Sequence, residues 1–200
     1  MTIVSCFQSF PNIVWWANVM KADHVILDKA EHFQKMSYRN RYRISGANNP
    51  VLLTVPLVSG RNQRTAMKDV RIFNDTAWQT QHWRTLVSVY NRTPYFGHYA
   101  DSLKPLFETE FDLLVDFNRM SMHWVRQQLG GRFTTEETDV FVKEYPAEID
   151  DNRNLDEGND PMLFPKYYQV FEDRIGFVPN LSILDLLFSE GPGAKRLLNS

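Results

Sequence analysis

The stretch "MSYRNRYRIS", Met36 to Ser45, sets Arg39, Arg41 and Arg43 at every second position, alternating with Asn40, Tyr42 and Ile44. A period of two is how a strand sorts its faces, so one face of this segment is wholly cationic. Guanidinium forks match phosphate and carboxylate geometry, and the row fits a clamp on an anion, with Asn40, Arg41 and Arg43 as the substrate-binding side chains. It fits equally a solvated face whose repulsion is relieved from within by the acidic segment 148–157.

Other positions have the right types for chemistry. Gln8 closes the first apolar run and can hydrogen-bond a ligand or satisfy loop backbone. Asp28 closes the second and can act as a base or hydroxyl acceptor, or instead cap the next turn or pair with an arginine. His82, in "QHWRTL", stands one helical turn from Trp78 and Leu86. It reads as a core histidine or as the acid–base group of a site. Trp83, and Tyr95 in the aromatic turn "TPYFGHY", offer flat faces for a sugar or base, or pack on a neighbouring helix.

The usual signatures are absent. The sequence holds no GxGxxG, no GxxxxGK[ST], no CxxC, no HExxH and no GxSxG. The histidines at 24, 32, 82, 98 and 123 form no i,i+3 or i,i+4 pair, so no metal ligands are assigned and no cofactor is named.

Positioning these side chains falls to elements readable from pattern. "TIVSCF" is a strand, Asn12 caps an apolar helix over Ile13–Ala22, and "HVILD" (His24–Asp28) is a second strand. Two apolar strands joined by one helix make a parallel βαβ unit, whose ligands sit beyond the carboxyl ends of the strands. Val51–Leu57 is a third strand, ended by Pro56, and "KDVRIFN" a short fourth, after a polar loop over 59–67. Helices follow at Ala77–Asn91, Tyr99–Glu108 and Phe111–Leu129, the last stopped by Gly130-Gly131. "TDVFVKEY" reads as a last strand, 146–165 as a long acidic surface loop, and Leu181–Glu190 as an amphipathic helix. The fold class is therefore α/β: a mixed, partly parallel sheet with a βαβ start and an appended helical half. The organisation is one domain over 1–200, mainly α/β to residue 75, helical over 76–131, with C-terminal helices from 166.

Composition bounds the function. The 200 residues are 43% hydrophobic and 14% aromatic, enough for a core. The net charge of −2 does not fit a nucleic-acid or membrane-surface binder. The one cysteine, Cys6, cannot form an internal disulfide and reads as an inert core thiol. No window approaches a membrane span and no signal peptide opens the chain, so a soluble cytoplasmic protein is expected.

A series of words carries a resemblance: "QSFP", "ADHVILDKAEHFQK", "NRYRI", "LLTVPL", "HWRTLVSVYNRTPYF" and "PNLSILDLLF", in that order. The chain resembles the WbqC-like family from about residue 3 to 190, and its ending resembles the shorter form found in Bacteroidetes. The resemblance implies a cytoplasmic protein of surface-polysaccharide (O-antigen-like) biosynthesis, with aminoacyl or glycyl transfer to a sugar as the suggested activity. It departs from the family pattern at Gln8-Ser9, where Gln-Pro is usual, within "WWAN", where the first helix usually has a glycine, and at Asp28-Lys29, where Asp-Asp is common. The acidic stretch 146–165 stands where longer members carry a Gly-rich helix–strand segment.

Two readings stay open. In the first, a transferase holds a small anionic donor, bearing phosphate or carboxylate, with Gln8 and Asp28 in the strand-end crevice, the arginines as clamp, and His82 or Asp28 taking a proton. In the second, a non-catalytic protein uses the same arginines to bind an anionic metabolite or a glycan-assembly partner. A nucleotidylyltransferase-like fold shares the strand–helix–strand start, but its Gly-His signature after the first strand is missing.

Overall fold

Thr2–Cys6 (TIVSC) forms β1, and a turn at Pro11 leads into helix α1, Ile13–Val19. Asn12 caps that helix, its Oδ1 accepting from the Trp15 amide at 2.8 Å. His24–Asp28 forms β2, which lies parallel to β1 with Cys6 opposite Asp28. The opening βαβ unit is thus present. The computed structural model describes residues 1–58, 64–154 and 166–199.

The remaining strands are β3 (Arg41–Ile44), β4 (Val51–Thr54), β5 (Thr134–Thr138) and β6 (Ile149–Asp151). Four of the six make one sheet, ordered β5-β2-β1-β6 and parallel throughout. β3 and β4 pair apart from it as an antiparallel ribbon. Helices α2 (Trp78–Tyr90), α3 (Phe96–Leu103), α4 (Leu114–Leu129), α5 (Glu172–Ile175), α6 (Ile183–Glu190) and α7 (Ala194–Leu198) complete a mixed α/β fold.

The core lies on one face of the parallel sheet. Ile3, Val25 and Leu27 point there, toward Trp15 and Trp16 of α1 and Met122 of α4. α6 is buried almost all round, with Ile183, Leu184, Leu186, Leu187 and Phe188 at 0% exposure. Each such side chain contributes about 1.5–3 kcal/mol of transfer free energy, which is why this C-terminal helix is a central element of the fold. Ser182 seats it: its Oγ donates to Phe10 O at 3.0 Å, and its amide donates to Arg43 O at 2.7 Å. No helix among the described residues is long and apolar enough to cross a membrane.

Two expected strands change. The strand read at "TDVFVKEY" lies earlier, at Thr134–Thr138, and 139–148 instead connects β5 to β6. "TTEET" is an exposed edge strand held by its ladder to β2 rather than by burial, so it has no apolar signature. "KDVRIFN" is a 3-10 turn, Met67–Asp69, followed by isolated bridges at Arg71 and Ile72. Its amides and carbonyls are shared among Pro56, Asp112 and Leu114, so no continuous ladder forms. Within the expected acidic loop, Ile149–Asp151 adds to β1 as the edge strand β6. The rest of that loop at 155–165, and of the polar loop at 59–63, lies outside the described residues. The helix expected at Tyr99 starts earlier, at Phe96, and passes into a 3-10 turn, Lys104–Phe107, around Pro105.

Candidate functional site

The order β5-β2-β1-β6 has a functional consequence. From β1 the chain steps to β2 and then β5 on one side, and returns to place β6 on the other. The winding reverses between β1 and β6, and parallel sheets bind ligands beyond the carboxyl ends at such a reversal.

Those ends carry a buried charge cluster. Val4 pairs with Asp151 and Cys6 with Asp28, so Asp28, Cys6 and the position two beyond Asp151 share one sheet face. That position is Arg153. Its Nη1 donates to Asp28 Oδ2 at 2.8 Å across β1, and its Nε donates to Asp151 Oδ1 at 2.9 Å. Nη1 and Nη2 also donate to the carbonyls of Val142 and Lys143, at 2.7 and 3.3 Å, and the Phe141 and Tyr145 rings lie 5.3 and 5.0 Å from its Cζ. One guanidinium therefore ties β2, β6 and the β5–β6 connection together.

Asp28 is fully buried. Its Oδ1 accepts from the amides of Ala30 and Glu31, at 2.9 and 3.0 Å, and from Thr138 Oγ1 at 2.9 Å. This turns the chain after β2 so that Glu31 faces Arg39, which donates to both its oxygens at 2.8 Å. Arg39 Nη2 also reaches Arg153 O at 3.3 Å. Burial pushes the Glu31 carboxyl up, against the pull of Arg39. The bond from Arg153 holds Asp151 below its ordinary range. Burial raises the Cys6 thiol, opposed by Arg39.

A cavity of about 540 Å³ opens beside this cluster. Its wall is Glu31–Lys35 after β2, Phe141 and Lys143 of the connection, and Asp151–Asn154 at the end of β6, excepting Asn152. The buried carboxylates are matched by Arg39 and Arg153. Lys35 has no carboxylate within 4 Å among the described residues, and Lys143 has only Glu144 at 3.9 Å, both side chains well exposed. Among the described lining residues Lys35, Lys143 and Arg153 outnumber Glu31 and Asp151 by one charge, which makes this wall electropositive, and His32 is exposed on it. Among the described residues no group of three or more His, Cys, Asp or Glu is arranged to hold a metal.

The side chains singled out from sequence fall in several places. Asp28 and Arg39 are in the cluster. Gln8, also at the strand end, donates to Cys6 Sγ at 3.3 Å, and its buried Oε1 has no partner among the described residues. Asn40 donates to Val55 O at 2.9 Å and locks β3 to the chain after β4. Arg41 Nε donates to Ser37 O at 3.3 Å, and Arg43 Nη2 to Pro179 O at 3.3 Å. Neither lines the cavity.

His82 is buried between the Tyr42, Trp78 and Phe107 rings, with Nδ1 3.0 Å from Tyr42 Oη. Burial lowers its pKa to about 4, so the imidazole is neutral near pH 7. Trp83 packs between Phe96 and Phe107, and the Tyr95 ring lies over Gly191. None of these three lines the cavity either. Glu31, His32, Lys35, Lys143, Asp151 and Arg153 line it and carry no motif. Only the two-residue spacing of Asp151 and Arg153, within an acidic run, hints at a strand end.

These features define a parallel α/β protein with an electropositive strand-end cavity. The chain belongs to the WbqC-like protein family, whose sequence model matches residues 8–150. It is similar to an uncharacterised protein of Mycobacterium tuberculosis, Rv1507c: 26% identical over 204 aligned positions that cover 88% of this chain and 87% of the relative. No solved structure matches it.

Proposed function

We propose that the protein is a transferase of surface-polysaccharide biosynthesis that holds a phosphate-bearing donor in the strand-end cavity and passes an aminoacyl or glycosyl group to a sugar. The observation that carries this reading is the cavity's place and charge. It lies at the carboxyl ends of β2 and β6, beside the winding reversal. Among the described residues Lys35 and Lys143 bring its formal charge to one positive beyond the Asp28, Glu31 and Asp151 carboxylates and the two arginines that hold them. In this reading Lys35 and Lys143 meet the phosphate. Asp28, Asp151 and Arg153 keep the wall rigid, so charge stabilisation needs little reorganisation. The acceptor's nitrogen or oxygen bonds to the donor's carbon, the phosphate leaves, and His32 takes the acceptor's proton.

A second reading, a non-catalytic protein for an anionic metabolite or a glycan-assembly partner, has its own support. Asp28, Glu31 and Asp151 are all tied to arginines. His32 is then the one proton acceptor not held in an ion pair among the cavity's described residues.

A thermal-shift panel of nucleotide sugars, a nonhydrolysable aminoacyl-adenylate analogue and inorganic pyrophosphate tests both. Stabilisation by a phosphate-bearing compound is expected in the wild type and lost in the Lys35→Glu/Lys143→Glu double variant. His32→Asn keeps binding in either reading and abolishes turnover only in the first. Stabilisation lost in Arg41→Ala but kept in the lysine variant would move the site to β3 and overturn the proposal.

A further inference from the structure

A second cavity, of about 200 Å³, opens on the opposite face of the sheet. Val25, Leu27, Thr135 and Glu137 line it, and they alternate along β2 and β5 with Asp28 and Thr138. The sheet itself thus separates it from the Asp28–Arg153 pair. The other walls are Trp15 and Trp16 of α1, Phe133 before β5, and Met122, His123, Arg119 and Arg126 of α4, so the lining is apolar and aromatic apart from the α4 polar side chains, Thr135 and Glu137.

The polar groups at this cavity differ in how they are compensated. Glu137 accepts from Arg119 at 2.6 and 2.9 Å and lies 3.4 Å from Lys29 Nζ, and the Arg119 bonds hold its carboxyl below its ordinary range. Arg119 is bound by Asp116 as well. Arg126 has no carboxylate within 4 Å among the described residues. It donates to the carbonyls of Gly131, at 3.4 Å, and Phe133, and its Cζ stands 4.8 Å from the Phe133 ring centroid. It is half-buried, held by main chain and ring, and its charge is uncompensated.

An apolar hollow with one fixed, unmatched guanidinium selects for a small amphiphilic anion. A void of about 150 Å³ takes benzene, so this one takes a ring with a short polar arm. We propose that this cavity binds a small carboxylate with an aromatic or branched apolar body, the body against Trp15, Trp16 and Leu27 and the carboxylate at Arg126. Nothing in this inference depends on what the strand-end cavity does.

Calorimetric titration with phenylacetate tests it, with 2-phenylethylamine as the size-matched cation. Phenylacetate is expected to bind with a Kd below about 1 mM and at least tenfold tighter than the amine. Arg126→Gln should weaken phenylacetate at least tenfold and erase the preference. Thr135→Trp, at an exposed edge-strand position, fills the cavity without disturbing the core and should block both. No phenylacetate binding by the wild type, equal affinity for the amine, or unchanged binding in Thr135→Trp would overturn the proposal.

Discussion

Arg153 Nη1 meets Asp28 Oδ2 at 2.8 Å across the strand that separates them, at the level of Cys6. The pair joins residues 125 positions apart and fixes the wall of the strand-end cavity. Asp28→Ala would leave the Ala30 and Glu31 amides and the Thr138 hydroxyl without their acceptor, and Arg153 with one carboxylate fewer. Breaking a buried pair of this kind costs about 3–5 kcal/mol. Asp151→Ala should cost less, because that carboxylate is 32% exposed. Urea unfolding of both variants checks the order. Equal losses would mean that the Asp28 pair is not the organising one.

Two buried groups oppose each other in acid. Burial raises Asp185 to about 6, with Tyr90 and Tyr167 donating to it at 2.6 and 2.7 Å, and burial lowers His82 to about 4. For Asp185 the folded state holds the proton more tightly, so its contribution is present at low pH and lost as pH rises through 6. For His82 the unfolded state takes the proton first, so its contribution is present above pH 6.5 and lost as pH falls toward 4. Each effect is about 3 kcal/mol, and they largely cancel between pH 4 and 6. Compared with wild type, His82→Gln should gain stability at pH 4.5 relative to pH 7, and Asp185→Asn should lose it. Unfolding free energies measured across this range would contradict the account if both variants shifted in the same direction.

Gly191 ends α6 at φ +53°, and a Cβ there would lie 2.4 Å from Tyr95 Cδ1. The strained backbone costs about 1–2 kcal/mol and the overlap about 1–3 kcal/mol. Gly191→Ala should therefore lower stability by about 2 kcal/mol or more, and Gly191→Ala/Tyr95→Ala should relieve the steric part. Denaturation of the single and double variants separates the two, and an additive result would mean that the ring does not press on this turn.

Local order was readable where one segment decides its own fate. "TIVSCF", the Asn12 cap, "HVILD" and Gly130 specify the βαβ start and the end of α4 through β-branching, capping and a left-handed glycine. A helix was expected over Leu181–Glu190, but as an amphipathic one; α6 is buried at every position except Glu190, Asp185 being satisfied by Tyr90 and Tyr167. The site was legible only in part. Asp28 stood out because it closes an apolar strand, and Arg39 because it heads a cationic row. Arg153 did not stand out, because its meaning lies in register: β6 is three residues long, and nothing local announces that it joins β1. The same register explains the arginine row. Arg39 precedes β3 and turns to Glu31, whereas Arg41 and Arg43 stay on the ribbon and bond to carbonyls.

Cys6 lies under this pair at 1% exposure, with its thiol raised by burial. A thiol-specific reagent should label the native protein only at the rate of opening, with protection above roughly a thousandfold relative to the unfolded chain. Mass spectrometry of native and urea-unfolded samples reads this directly. Fast native labelling would mean that the strand-end cluster opens readily.

The central claim is that the cavity at the ends of β2 and β6 receives a phosphate-bearing ligand. Crystals soaked in inorganic pyrophosphate test it most directly. The account predicts the anion between Lys35 and Lys143, above an undisturbed Asp28–Arg153 pair. Pyrophosphate held instead at Arg41 and Arg43, with the cavity vacant, would contradict it.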